Sequence, residues 1–200
     1  TSCHNPDATD IPVHAATTAG SLCNAATAGT TDAPIDFKYM IHAIHASATY
    51  PANPPYPAGL TICGNGNSVN TFNVGYPSPL NNCLACHVTT TAGNLQTGTY
   101  YPVDPSVVQG TTIHAGPTLA TADRQALTDD VVISPNAAIC STCHIDAASK
   151  AHMTQNGGDF NATKTAAGAL QSASAESCAV CHGPGGLADI AVVHSLASFK

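Results

Sequence analysis

Tryptophan is absent from this 200-residue chain, methionine occurs twice, and aromatic residues make up only 5%. Large aliphatic residues are sparse as well, since much of the 44% hydrophobic fraction is alanine. Protein interiors are close-packed, and side chains this small do not build an ordinary core alone. Either the fold is loose, or something large and apolar that the sequence does not encode fills its middle. Charge is also scarce, at 8% of residues, where globular proteins carry roughly a quarter. Disordered chains combine low hydrophobicity with high charge, and this chain has neither property. Five lysines and arginines face twelve acids, a formal net charge of −7, which argues against a nucleic-acid partner. No run approaches the roughly 18 apolar residues of a membrane-spanning helix. No signal peptide is visible, so in an exported protein Thr1 would follow processing or truncation.

Glycine (16) and proline (14) are plentiful. Thr/Ala/Gly/Pro-rich stretches occupy 15–31, 46–80 and 88–120, and segments such as YPANPPYPAGL and GNGNSVNTFNVGYPSP exclude long helices and central strands. Three pieces read as helical. TDAPIDFKYMIHAIHA has Asp32 to cap it, Pro34 in the first turn, and Phe37, Ile41 and Ile44 on one face. TADRQALTDD is a short exposed candidate, and GGLADIAVVHSLASF places apolar residues at 187, 190, 193 and 196. The rest reads as loop, and so much loop in a compact domain needs an internal scaffold.

The scaffold is written in the cysteines. CLACH at 83–87, CSTCH at 140–144 and CAVCH at 178–182 share one pattern, Cys-x-x-Cys-His. This is the attachment signature of c-type haem. Two thiols at this spacing reach the two vinyl groups of one porphyrin, and the following histidine is carried under the ring to ligate iron. Structural zinc normally takes two Cys-x-x-Cys pairs per site; three pairs do not divide evenly, and zinc gives no reason for the repeated histidine. A thioredoxin-like pair would sit beside a βαβ pattern, which is missing. Plain disulfides within the units would leave the histidines unexplained.

The opening residues TSCH look like the end of a fourth unit whose first cysteine would stand just before Thr1. Six of the nine cysteines lie in complete units, leaving Cys3, Cys23 and Cys63. If Cys3 belongs to a fourth haem, Cys23 and Cys63 form one natural disulfide, of the kind that persists in an oxidising compartment. The expected thioether cysteines are therefore Cys3, Cys83, Cys86, Cys140, Cys143, Cys178 and Cys181. Four haems are expected, three of them from complete motifs. The proximal ligands are His4, His87, His144 and His182. Six histidines remain for the distal positions: His42 and His45, three apart on one helix, His152, His194, His114 and His14. Met40 and Met153 read as core filling.

The stretches CHNPDATD, PIDFKYMIHAIHAS, ISPNAAICSTCH, AHMTQNGGDF and CAVCHGPGGLADIAVVH closely resemble the C-terminal multihaem domain of the outer-surface decahaem cytochromes of metal-reducing bacteria. The resemblance spans nearly the whole chain. It implies a complete Cys-x-x-Cys before His4, distal roles for His42 and His45, and similar roles for His152 and His194. That family domain normally carries five haems, the first of which has no counterpart here, and its Greek-key β domains are missing. In size and haem count the chain is also similar to small tetrahaem cytochromes that polymerise into extracellular nanowires, in which a histidine of one subunit ligates a haem of the next.

These readings lead to one multihaem domain over 1–200: mostly irregular chain and a few short α-helices wrapped around a row of covalent haems, with little β-structure. The expected function is extracellular or cell-surface electron conduction through closely packed bis-His haems, as a filament subunit, a discrete cytochrome or a fragment of a larger one, rather than enzymatic turnover. The expected partners are other copies, joined head to tail, and donor or acceptor cytochromes or extracellular minerals, with no membrane span. The alternative is a multihaem reductase of a small oxyanion or nitrogen compound. It would need one open iron, against which the surplus of histidines argues.

Overall fold

The computed structural model describes residues 3–13, 32–48, 61–64, 68–87, 100–116, 122, 125–172 and 174–199. Within them lie five short helices: α1 (Phe37–Ala46), α2 (Pro135–Cys140), α3 (Ala147–Gln155), α4 (Cys178–His182) and α5 (Ile190–Val193). Three two-stranded antiparallel sheets accompany them, β1 (Thr61–Gly64) with β2 (Ser68–Thr71), β3 (Thr111–Ala115) with β4 (Asp130–Ile133), and β5 (Thr163–Lys164) with β6 (Leu170–Gln171). Much of the remaining described chain is irregular. The expectation of little β-structure needs correcting, because the strands are not negligible. β-Branched runs, Thr111-Thr112-Ile113 and Val131-Val132-Ile133, favour a pleated pair, and Val132 of β4 is bridged on its other side to Ala162.

Helix α1 starts at Phe37, later than the pattern predicts, with Asp36 at its cap. The preceding residues are extended because they pair with the N-terminal segment: Thr9 bridges Pro34, and the Ile35 N–H donates to the Ala8 carbonyl. At the C-terminus the single expected helix is two pieces, α5 and a 3-10 turn at Leu196–Phe199. They part at Ser195, whose φ of 55° no helix continues. Of the candidate 121–130, Leu127–Asp129 is a 3-10 turn and part lies outside the described residues. Helices α2 and α3 fall where loop was expected.

The core is small-featured. Ala33, Tyr39, Ala43, Ile133, Ala137, Ala138 and Met153 form its buried cluster, with Met40, Ile44, Ile62 and Phe160 packed around it. Large apolar residues stand outside it: Leu187 is 97% exposed, and Val180, Val192 and Phe37 are also exposed.

Buried polar groups join the pieces. Asp10 accepts from the Ala33 N–H and the Cys63 N–H, both at 2.7 Å, tying the N-terminal segment to β1. Asp36 accepts from the Thr111 hydroxyl at 2.6 Å and from Lys38. Lys164 is only 3% exposed and spends its ammonium protons on Asp7 (2.5 Å), Asp130 (3.1 Å) and the Thr112 hydroxyl. It thereby fastens the segment carrying Cys3 and His4 to β3, β4 and β5. Lys164→Ala should cost about 3–5 kcal/mol in denaturant unfolding, because Asp130 is left buried and uncompensated. Asp7→Asn, at a carboxylate 38% exposed, should cost no more than about 1 kcal/mol.

Candidate haem-binding site

Each complete Cys-x-x-Cys-His unit is one helical turn. The His87 N–H donates to the Cys83 carbonyl and the His144 N–H to the Cys140 carbonyl, both at 2.9 Å, and residues 178–182 are helix α4. A turn of this kind sets cysteines i and i+3 and the histidine at i+4 along one side. The six cysteines of the complete units, Cys83, Cys86, Cys140, Cys143, Cys178 and Cys181, are free thiols. Burial pushes the thiols of Cys83, Cys143 and Cys178 upward, and that of Cys140 up to about 12.

The histidines pair across sequence. The ring of His87 faces His42 with centres 6.1 Å apart, His144 faces His194 at 6.1 Å, and His182 faces His152 at 6.0 Å. A metal–imidazole bond is about 2 Å and the ring centre lies about 1 Å farther on, so two imidazoles in line across one ion have centres about 6 Å apart. All three pairs meet that length, and each joins an expected proximal histidine to an expected distal one. The ring planes cross at 29°, 67° and 84° respectively. Among the described residues no group of three or more His, Cys, Asp or Glu side chains could hold a bare metal ion. Paired imidazoles with thiols one turn away fit a haem better than a protein-only metal cage.

Hydrogen bonds fix how these rings present themselves. Nδ1 of His42, His45 and His194 lies 2.6, 2.8 and 3.1 Å from the carbonyls of Lys38, Ile41 and Ile190, each four residues earlier. Nδ1 of His4 lies 2.8 Å from the Ile35 carbonyl, and that of His182 lies 3.0 Å from the Ala188 carbonyl. A carbonyl can only accept, so Nδ1 carries the proton and Nε2 keeps its lone pair for a metal. Burial, then the facing histidine, lowers the pKa of His87 and of His144, which favours the neutral ring that a metal ligand must present.

Residues 1–195 match the sequence profile of the family described as outer membrane cytochrome MtrC/MtrF-like, domains II/IV. The chain belongs to that family. It is thus an electron-transfer cytochrome carrying c-type haem. No curated protein matches it. No helix among the cytochrome's described residues is long and apolar enough to cross a membrane.

Cys143 adds, behind burial, to the upward push on the Cys83 thiol, and Cys178 to that on Cys140, so the 140–144 unit neighbours each of the other two. Asn81 strengthens the first junction by donating to the His194 carbonyl at 2.9 Å. Two expected distal ligands among the described residues, His45 and His114, are not in these three pairs. His45 meets the edge of Tyr76 at 5.2 Å, and His114 donates from Nδ1 to Asp32 at 2.8 Å; no other described histidine faces either. An extra residue at Ile113 in the β3–β4 register sets the strand position of His114, as bulges do. Met153 is buried in the core and Met40 packs against it. Cys63 is buried and is not one of the free thiols, whereas Cys23 and His14 lie outside the described residues.

Sequence reasoning missed the carboxylates behind the histidines. Asp32 does not cap α1; it accepts from His114 and from the Ala115 N–H at 3.0 Å. Asp189 accepts from Tyr101, from the Gly185 N–H and from the Ala191 N–H at the start of α5, holding the loop after His182 to the helix before His194. No local pattern announces such partners. Asp32→Ala should lower stability by about 1–3 kcal/mol in denaturant melts, since the buried Ala115 N–H is orphaned. Asp32→Asn keeps an acceptor and should cost less.

Proposed function

We propose that the protein is an extracellular conductor of electrons, passing them along a row of closely spaced bis-His c-type haems. The three facing histidine pairs carry this reading, because each has the separation of two axial ligands on one iron. Cys83 and Cys86, Cys140 and Cys143, and Cys178 and Cys181 would hold three haems by thioether bonds, with Cys3 and His4 serving a fourth. His42, His194 and His152 would be the distal ligands of the sites at His87, His144 and His182. Bound haem supplies a reversible one-electron iron couple. The chain's own part is to hold both axial positions of each iron, exclude small substrates from it, and keep neighbouring sites in contact. Occupied axial positions oppose the reductase reading.

His14, His45 and His114 exceed what these three sites use. One would complete the site at His4, and another would reach a haem of a neighbouring copy, joining copies head to tail into a filament; heterologous contacts that do not close generate such polymers. A Cys23–Cys63 disulfide would brace the loop-rich half in an oxidising compartment.

Ligand substitution tests the assignment. His42→Ala, His152→Ala and His194→Ala should each convert one haem from low-spin to high-spin in the oxidised EPR spectrum and let it bind added cyanide, while Met40→Leu and Met153→Leu leave the spectrum unchanged. Unaltered low-spin spectra in all three histidine variants would sink the pairing. Negative-stain electron microscopy of the native protein tests assembly: uniform fibres are expected, and discrete particles at the same concentration would reduce the protein to a soluble carrier.

A further inference from the structure

Glu176 lies two residues before Cys178, yet its side chain belongs to another helix. Oε1 accepts from the Ser134 hydroxyl at 2.6 Å and the Ala137 N–H at 2.8 Å. Oε2 accepts from the Asn136 N–H at 2.8 Å and the Asn136 side-chain amide at 2.7 Å. These groups form the first turn of α2, the helix that ends in Cys140, where the Ser134 side chain makes no cap of its own. Both oxygens meet only donors, the surroundings of an ionised carboxylate, and the residue is buried at 9% exposure.

The neighbouring residues extend the link. The Ser177 N–H donates to the Asn156 carbonyl at 2.9 Å, at the end of the helix that carries His152. Gly157, with φ of +88°, lets the chain pass close by; a Cβ there would stand 2.2 Å from the Ala175 carbonyl oxygen. The dipeptide Glu176-Ser177 therefore touches the helix leading to the 140–144 unit, the helix of His152, and the 178–182 unit that follows it. Its charge reaches both units: after burial, Glu176 is the next cause of the upward push on the Cys178 thiol, and it contributes, behind burial and Cys178, to that on Cys140.

We propose that Glu176 is a positioning residue shared by two neighbouring haem sites, fixing the 140–144 and 178–182 units against each other and holding both reduction potentials down with one buried negative charge. A fixed anion favours the ferric state, whose net charge is one unit more positive. The proposal rests on haem occupying these units as argued above. The haem count and low-spin spectrum of the wild-type protein test that reading separately, and variants are judged only in preparations with the wild-type count.

Potentiometric titration followed optically and by EPR decides the matter. Glu176→Gln keeps the shape and removes the charge, so two midpoints should move upward while the others stay in place. Glu176→Asp keeps the charge and should hold those two midpoints near wild type even if it lowers thermal stability. Unmoved midpoints in Glu176→Gln, or a uniform movement of all of them, would overturn the proposal. Should Glu176→Gln fail to mature, Ser134→Ala takes its place: losing one donor leaves the carboxylate less compensated, so the same two midpoints should fall. No fall would overturn the proposal equally.

Discussion

The hydrogen bond from an imidazole Nδ1–H to a fixed oxygen is the interaction on which the rest depends. An imidazole left to itself exchanges its proton between two nitrogens and turns about two bonds. Anchored to the carbonyl four residues back, as in His42, His45 and His194, it has one tautomer and one heading. The acceptor is a helical carbonyl that the ligand's own helix supplies, so short helices suffice. Helix α5 has only four residues, yet it orients His194 because Ile190 lies within it and Asp189 pins its first turn.

A second economy concerns charge. The chain has few acids and keeps several of the most important inside: Asp10, Asp36, Asp130, Glu176 and Asp189 are buried. An unpaired buried charge is expensive, but these accept from backbone N–H groups, hydroxyls or a lysine, and most join segments distant in sequence. Where a conventional domain would be held by a large apolar core, a chain of small residues is stitched by carboxylates. The exposed Leu187, Val180 and Val192 show that its larger apolar side chains are spent elsewhere, around the attachment units of the C-terminal segment.

What was legible in the sequence was whatever is local. Cys-x-x-Cys-His is a single helical turn and needs nothing beyond five residues. The i, i+3 spacing of His42 and His45 placed both on one helix before any coordinates. The strands β3 and β4 were less legible, because their β-branched runs sit in a Thr/Ala/Gly/Pro background that reads as loop. Asp32 looked like a cap because it precedes a helical pattern, but its partner lies more than eighty residues away on β3. Glu176 carried no signal at all: its role depends on Ser134, Asn136 and Ala137 arriving beside it, and only the tertiary fold brings them. The cysteines and histidines expected to bind haem could be named from sequence, while the residues that hold them in place could not.

The three histidine pairs share a separation but not a twist, their planes crossing at 29°, 67° and 84°. If these histidines ligate haem iron as proposed, each imidazole would donate π density mainly into the d orbital perpendicular to its own plane. Near-parallel rings would then load one of two equivalent orbitals, and near-perpendicular rings would load both alike. Orbital splitting should be largest at the His42–His87 site and smallest at the His152–His182 site. The row would then be a line of magnetically distinct centres, each with its own spin anisotropy, even where ligands and fold are alike.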